Sequence, residues 1–212
     1  MHCEANSSPT LRNMIFLNNT ALYGAALMAI GGSSPTVIGC LFKGNYGAGT
    51  VDIRDNSTAS FYKTVFDSND GGCLEGWDSN LSVVNCTFYD CGAPVTFWTN
   101  GTYVIENSIF AFGHEDPDYD WSASIYTMDD ATVEISYTDI FENASGDWVD
   151  GNWSGDMIAD QYGINGNVSL DPLFVDAENG NLRLQDDSPC LNTGNPDSQD
   201  DPDGSQANMG AF

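Results

Sequence analysis

One phenylalanine recurs along the first two thirds of this chain at a nearly constant spacing. It occupies positions Phe16, Phe42, Phe66, Phe88, Phe110 and Phe141, so the intervals are 26, 24, 22, 22 and 31 residues. An apolar residue stands five positions before most of them, at Leu11, Val37, Phe61, Val83 and Ile105. Self-similarity at a period of this size is the signature of repeat architectures.

Each repeat consists of short β-prone stretches separated by turns. Asn19, Asn45 and Asn69 follow the phenylalanine by three positions, and a glycine-rich break comes next, as at Gly47 and Gly71. One such unit cannot bury its own apolar face, but stacked units can. Stacking places equivalent side chains in columns about 4.8 Å apart. The sequence therefore predicts an aromatic ladder inside the stack and an asparagine column at a turn.

We predict an all-β fold, a parallel β-helix (solenoid) of about six or more coils. The two apolar columns are five residues apart, an odd number, so the chain must turn a corner between them. A leucine-rich repeat has a similar period, but its Leu-x-x-Leu-x-Leu pattern is absent. One domain is expected over residues 1–212, with coils over about 8–141, a loop excursion over 142–166, and a C-terminal coil and tail over 167–212.

Three segments near the end carry a resemblance to a known family. They are Asp-Pro-Leu-Phe-Val-Asp at 171–176, Ser-Pro-Cys-Leu-Asn-Thr-Gly at 188–194, and Asp-Pro-Asp-Gly at 201–204 with the Met-Gly-Ala-Phe ending. Together they resemble the C-terminal signature of bacterial right-handed parallel β-helix repeat proteins of the pectate-lyase-like superfamily. The resemblance implies a right-handed coil and a fragment of a longer secreted or surface-anchored protein. It implies little about activity, because one fold hosts many functions.

The balance of acidic and basic residues limits the classes of ligand that the protein can bind. The formal net charge is −26, from 31 acidic and 5 basic residues. Nucleic acid is excluded as a partner, because phosphate binding needs clustered Lys and Arg. No apolar run approaches the length of about 18 residues that a membrane span needs. Cations are the natural counter-charge, and calcium is the cation that takes several oxygen ligands.

Two features favour an extracellular or cell-surface location. Asn-x-Ser/Thr triplets, the acceptors of N-glycosylation, occur at Asn6, Asn18, Asn56, Asn80, Asn85, Asn100, Asn143, Asn152 and Asn167. A turn-rich chain also makes some of these triplets by chance. Six cysteines, an even number, fit an oxidising compartment. Cys73 and Cys91 fall on adjacent coils near one register and are the predicted disulfide, while buried free thiols remain the alternative.

The predicted carbohydrate site lies on the second β-stretch that closes each unit. Arg54, Trp77 and Trp98 fall within about one residue of a common register, and Asp52 and Glu75 lie close by. Aromatic rings beside acids can form a platform for sugar rings. The resemblance to pectate-lyase-like enzymes implies the use of one outer sheet face in this way. The alternative is that these aromatic rings only cover the outside of the coil.

Two acidic loops are predicted to hold structural calcium. Closely spaced carboxylates are the oxygen ligands that Ca²⁺ prefers, although neither loop matches the twelve-residue EF-hand pattern. Solvated acidic loops that keep the protein soluble are the alternative. The candidate ligands are Asp200, Asp201 and Asp203 in one loop and Asp116, Asp118 and Asp120 in the other.

The favoured function is a non-catalytic adhesive, carbohydrate-contacting or fibre-forming module, because no catalytic motif can be assigned. A polysaccharide or glycan is the expected ligand. Open strand edges at the ends of a β-helix make end-to-end association of copies possible, which electron microscopy would reveal. The alternative is a calcium-assisted polysaccharide lyase or a glycoside hydrolase on the same fold. An ice-binding solenoid is a weaker third reading, because the flat double threonine row is missing.

Overall fold

The computed structural model describes residues 1–114, 124–127, 131–144 and 161–212. These residues form three parallel sheets of six strands each, followed by a tail with a two-stranded antiparallel sheet. The chain visits the three sheets in turn, so one strand from each sheet makes one coil. Six coils are stacked, and every pairing between neighbouring coils is parallel. The predicted parallel β-helix is confirmed.

The strands of the three sheets are short. The first sheet contains His2–Cys3, Leu27–Ala29, Tyr46–Ile53, Asp70–Gly76, Ala93–Phe97 and Ile125–Thr127. The second contains Thr10–Arg12, Thr36–Ile38, Thr58–Tyr62, Asn80–Val84, Gly101–Glu106 and Ala131–Ser136. The third contains Ile15–Leu17, Leu41–Lys43, Val65–Asp67, Thr87–Tyr89, Ile109–Ala111 and Asp139–Phe141. No helix among the described residues has the length and apolar character needed to cross a membrane.

The phenylalanine column forms a stacked ladder on the inner face of the third sheet. Successive ring centroids from Phe16 to Phe110 are 4.7, 4.9, 4.5 and 4.5 Å apart. Phe141 does not continue it, because Phe110 pairs with Ile140 and Ala111 with Phe141. The last interval is therefore 30 residues rather than 31. Alternation along the strand turns Ile140 into the core and leaves the ring of Phe141 to contact Phe112 on the other face.

Buried asparagines join the coils at the corner between the third and first sheets. The side-chain amide of Asn19 donates to Oδ1 of Asn45 at 2.8 Å, and that of Asn45 donates to Oδ1 of Asn69 at 2.9 Å. Asn69 in turn donates to the carbonyl of Phe42. Asn45 and Asn69 are fully buried. This is the predicted asparagine column, and its amides pair from coil to coil.

The tail covers the outer face of the third sheet. Strands Phe174–Asp176 and Asn181–Leu184 pair antiparallel around the 3-10 turn Ala177–Asn179. The tail contributes Phe174, Leu182, Cys190, Met209 and Ala211 to a second apolar cluster with Val65, Ile109 and Ala111 of the sheet. Of the C-terminal coil predicted over 167–212, one bridge from Val168 to Asp139 extends the ladder. Pro172 follows and has no N–H to donate to a ladder.

The cysteines are buried within this fold. Cys73 and Cys91 form a disulfide with a Cα–Cα distance of 6.5 Å, the pairing that their positions on adjacent coils predict. Cys3, Cys40, Cys86 and Cys190 are buried free thiols. Burial raises the pKa of the Cys86 thiol to about 12, which keeps it protonated and unreactive.

Candidate glycan-contact site

The five predicted carbohydrate-site residues meet on the first sheet. The backbone N–H of Trp77 donates to the carbonyl of Ile53, and that of Trp98 donates to the carbonyl of Gly76. These bonds align Arg54, Trp77 and Trp98 just beyond the ends of three successive strands. We call these three residues the Arg–Trp row. Asp52 and Glu75 are direct Cα partners on adjacent strands, and we call them the carboxylate pair.

The carboxylate pair is buried and only partly neutralised. Nε of Arg54 donates to Oδ1 of Asp52 at 2.6 Å, and Nη2 of Arg54 lies 3.9 Å from Oε2 of Glu75. Asp52 is fully buried, and Glu75 is 6% exposed. The second carboxylate oxygen of Asp52 has no hydrogen-bond partner among the described residues. Such an oxygen is costly to bury, so this part of the sheet carries a charge arrangement that stability alone does not favour.

Burial raises the pKa of both acids. It raises the pKa of Glu75 to about 8, with a further increase from the neighbouring Asp52 charge that hydrogen bonding by Trp77 and the charge of Arg54 only partly offset. Burial also raises the pKa of Asp52, although the hydrogen bond from Arg54 acts against it. At neutral pH Glu75 is therefore mostly a neutral carboxylic acid that can donate a hydrogen bond.

The aromatic rings form a ridge rather than a flat platform. Trp77 and Trp98 stack with centroids 4.8 Å apart and an interplanar angle of 20°. The guanidinium of Arg54 lies 5.0 Å from the Trp77 centroid and 4.5 Å from that of Tyr23. The faces of Trp77 are thus occupied by Trp98 and by the Arg54 guanidinium. Tyr23 was not predicted, because it precedes Gly24 in a turn outside the strand pattern.

A polar pocket of about 420 Å³ is lined by residues that follow the row in sequence. Its lining residues stand at the corner between the first and second sheets: Asn56, Asp78, Ser79, Asn80, Asn100 and Gly101. We call it the corner pocket. Asp78 follows Trp77 directly, Asn56 follows Arg54 by two positions, and Asn100 follows Trp98 by two. From the sequence, these asparagines are predicted only as glycosylation acceptors, because an asparagine in a turn gives no separate signal for a pocket.

Most hydrogen-bonding side chains of the corner pocket have no partner among the residues that the structure describes. Oδ1 of Asn80 accepts from the N–H of Thr102 at 2.9 Å, which leaves its amide nitrogen as a donor. The side chains of Asn56, Asp78 and Asn100 are exposed and make no hydrogen bond to the described part of the chain. The pocket therefore presents both donors and acceptors to a ligand.

The predicted glycosylation sites divide into two groups. Asn85, Asn143 and Asn167 are buried, and their side-chain amides donate to the carbonyls of Asn208, Phe110 and Ile135. A glycan does not fit on these three nitrogens, since each is enclosed and hydrogen-bonded within the fold. Asn152 lies outside the described residues. The exposed acceptors are Asn6, Asn18, Asn56, Asn80 and Asn100.

Two carboxylates of the first acidic loop are bonded to other groups of the protein. Asp201 pairs with Nζ of Lys63 at 3.3 Å and accepts the N–H of Asn208. Oδ1 of Asp203 accepts two hydrogen bonds from Ser205, and these lower the pKa of Asp203. Within the described ranges no three acidic, His or Cys side chains come together as metal ligands. Asp200 lies in the same loop, and Asp116, Asp118 and Asp120 lie outside the described residues. Structural calcium at either loop stays a prediction.

A family model described as a right-handed β-helix region matches residues 1–168, more than half of the chain. The protein belongs to the right-handed β-helix family. No curated protein and no solved structure gives a significant match. The family match spans all six coils and gives their handedness, and the activity of this β-helix must be argued from its own site.

Proposed function

We propose that this β-helix is a non-catalytic extracellular or cell-surface module that contacts a glycan beside its first sheet. The observation that carries the proposal is the corner pocket, whose Asp78 carboxylate and Asn100 amide make no hydrogen bond to the described residues and follow the stacked Trp77 and Trp98 closely in sequence. Sugar hydroxyls both donate and accept, and asparagine and aspartate side chains supply the matching groups. A concave site with a few convergent polar groups beside apolar rings is a common form of ligand site.

Two features support the extracellular part of the proposal. The Cys73–Cys91 disulfide fits an oxidising compartment. Asn6 and Asn18, two glycosylation acceptors outside the corner pocket, are exposed on the coil.

A glycoside hydrolase is the second candidate, and the carboxylate pair favours it. Glu75 is mostly protonated at neutral pH, and Asp52 lies on the adjacent strand. Retaining glycosidases place an acid and a nucleophile about 5 Å apart. Burial of both carboxylates and the ion pair with Arg54 argue against contact with a substrate. A lyase is supported less, because the Arg54 guanidinium is engaged by Asp52, Tyr23 and Trp77.

A polysaccharide panel tests the proposal, with retention and release of reducing or unsaturated ends measured in calcium and in chelator. We expect retention without product. Trp98→Ala should weaken retention roughly tenfold, as expected for the loss of an aromatic contact at a hot spot. Tyr62→Ala, which removes an exposed ring from the second sheet, is the matched control and should retain binding. Melting curves of both variants separate loss of binding from loss of fold.

Other outcomes are equally informative. Product that disappears in Glu75→Gln would replace the proposal with a hydrolase. Unsaturated ends formed only with calcium would replace it with a lyase. If the protein shows neither retention nor product on any polymer, the glycan-contact proposal is rejected.

A further inference from the structure

We infer that the corner pocket binds an uncharged sugar unit and that Asp78 is the side chain that selects it. The inference rests on the proposed function and narrows its ligand class. It excludes uronates and sulfated sugars, the acidic glycans that carry a negative charge on most units. The argument depends on where the positive charges of this molecule lie and on which pocket groups remain unpaired.

The basic residues are few, and three of them are paired with acids. Lys43 pairs with Asp67 and Lys63 with Asp201, while Arg54 is held by the carboxylate pair. The other two basic residues lie elsewhere. The guanidinium of Arg183 is 5.8 Å from the ring of Phe212 in the tail, and Arg12 is on the first coil, in the strand Thr10–Arg12.

No cation therefore lines the corner pocket, and all 5 basic residues of the chain are accounted for. Among the described residues, its single charged lining residue is Asp78. A sugar carboxylate or sulfate placed there would face a like charge without a counter-ion from the protein. Like charges at such a contact oppose binding, and they do so more strongly where water is excluded.

The unpaired groups match an uncharged sugar instead. The ionised carboxylate of Asp78 only accepts hydrogen bonds, and its two oxygens can receive two hydroxyl donors from one sugar ring. The amide nitrogen of Asn80 is a donor to the ring oxygens, because Oδ1 of Asn80 is already held by the N–H of Thr102. Asn56 and Asn100 each offer a donor and an acceptor at the rim.

Turn conformation explains part of this composition. Asn56 and Asp78 have φ of 57° and 44°, a region that asparagine and aspartate tolerate better than most residues. Asn100 has no such backbone requirement, yet it presents an amide to the same pocket. Asp55 provides the matched control, because it is an exposed aspartate with φ of 55° beside the pocket that does not line it.

Native affinity electrophoresis of the protein made without N-glycans tests the inference, in chelator so that calcium cannot bridge two acids. The probes are hydroxyethyl cellulose, galactomannan and arabinoxylan as uncharged polymers, and polygalacturonate and alginate as anionic ones. We expect retardation by at least one uncharged polymer and by neither anionic one. Asp78→Asn should weaken it roughly tenfold, the loss typical of a hydrogen bond to a charged group. Asp55→Asn removes the same charge from a residue that does not line the pocket, and it should change the retardation less than about twofold.

The outcomes separate this inference from the proposed function. Retardation by polygalacturonate or alginate would keep the glycan-contact function and overturn the uncharged ligand class. If retardation by an uncharged polymer survives Asp78→Asn but is lost in Trp98→Ala, the glycan-contact function stands. The corner pocket is then not the binding site. Equal losses in Asp78→Asn and Asp55→Asn would show a general charge effect and overturn the role of Asp78. Failure on every polymer would reject both.

Discussion

Asparagines stand at two corners of the coil, and the same residue type does different work there. Between the third and first sheets, Asn45 and Asn69 point inward, are fully buried, and pair from coil to coil. Between the first and second sheets, Asn56 and Asn100 are exposed and make no side-chain hydrogen bond to the described residues. A buried amide must pair because water cannot reach it. Unpaired groups at the outer corner stay available to a ligand, so pairing rather than residue type separates scaffold from site.

The carboxylate pair lies between these two cases. Asp52 and Glu75 are buried like the inner asparagines, yet one oxygen of Asp52 has no hydrogen-bond partner within the described part of the chain, and Arg54 supplies one positive charge for two acids. A scaffold position would normally carry a neutral, fully paired group here. The outer face of the first sheet therefore combines burial with incomplete pairing, which is typical of functional sites.

The largest effect is expected at the inner corner. Asn69→Ala removes the acceptor of two hydrogen bonds from Asn45 and the donor to the carbonyl of Phe42. Leaving these buried groups unpaired should lower the free energy of unfolding by about 3 kcal/mol. Urea unfolding measures the change. Asn19→Ala in the partly exposed first coil is the control and should cost less, since it removes one side-chain hydrogen bond to Oδ1 of Asn45 and keeps the bond from the backbone N–H to the same oxygen. Equal costs would show that burial does not decide the role of these amides.

A smaller effect is expected from the protonation of Glu75. Its pKa is raised in the fold from 4.5 to about 8, so the folded protein holds a proton that the unfolded chain has lost. Stability from this group is complete below about pH 4.5 and declines until the pH passes about 8. Between pH 6 and 8 the free energy of unfolding should fall by about 2 kcal/mol. Denaturant unfolding across this range should show a flatter profile in Glu75→Gln; an unchanged slope in that variant would show that Glu75 is ionised in the fold.

The repeat made most of the fold predictable. Period and register placed the phenylalanine ladder, the asparagine column and the alignment of Arg54, Trp77 and Trp98, because stacked coils repeat one backbone path. The column was misassigned by one residue at Phe141, where the preceding connection is longer and both Ile140 and Phe141 are apolar. An apolar pair in a strand does not by itself show which member faces inward.

Other features could not be obtained from the repeat. The tail has no period, so its packing of Phe174 and Leu182 against the third sheet was not expected. The carboxylate pair was located, but its burial and the stacking of Trp77 on Trp98 depend on three-dimensional packing. Asn56 looked the same in sequence as buried Asn85, because both sit in Asn-x-Ser/Thr triplets. Burial and hydrogen bonding distinguish them, and neither is encoded in a three-residue pattern.

The smallest effect on stability is expected at the outer corner, where it separates binding from folding. Asn100→Ala removes an exposed side chain with no hydrogen bond to the described residues, so the free energy of unfolding should change by less than about 0.5 kcal/mol. Retardation by an uncharged polymer should nevertheless weaken by roughly threefold to tenfold, the loss of one neutral hydrogen bond. Urea unfolding and affinity electrophoresis of one preparation give both values. A stability loss near that of Asn69→Ala would show that the asparagines at both corners stabilise the fold, because an amide that the fold requires is not free for a ligand.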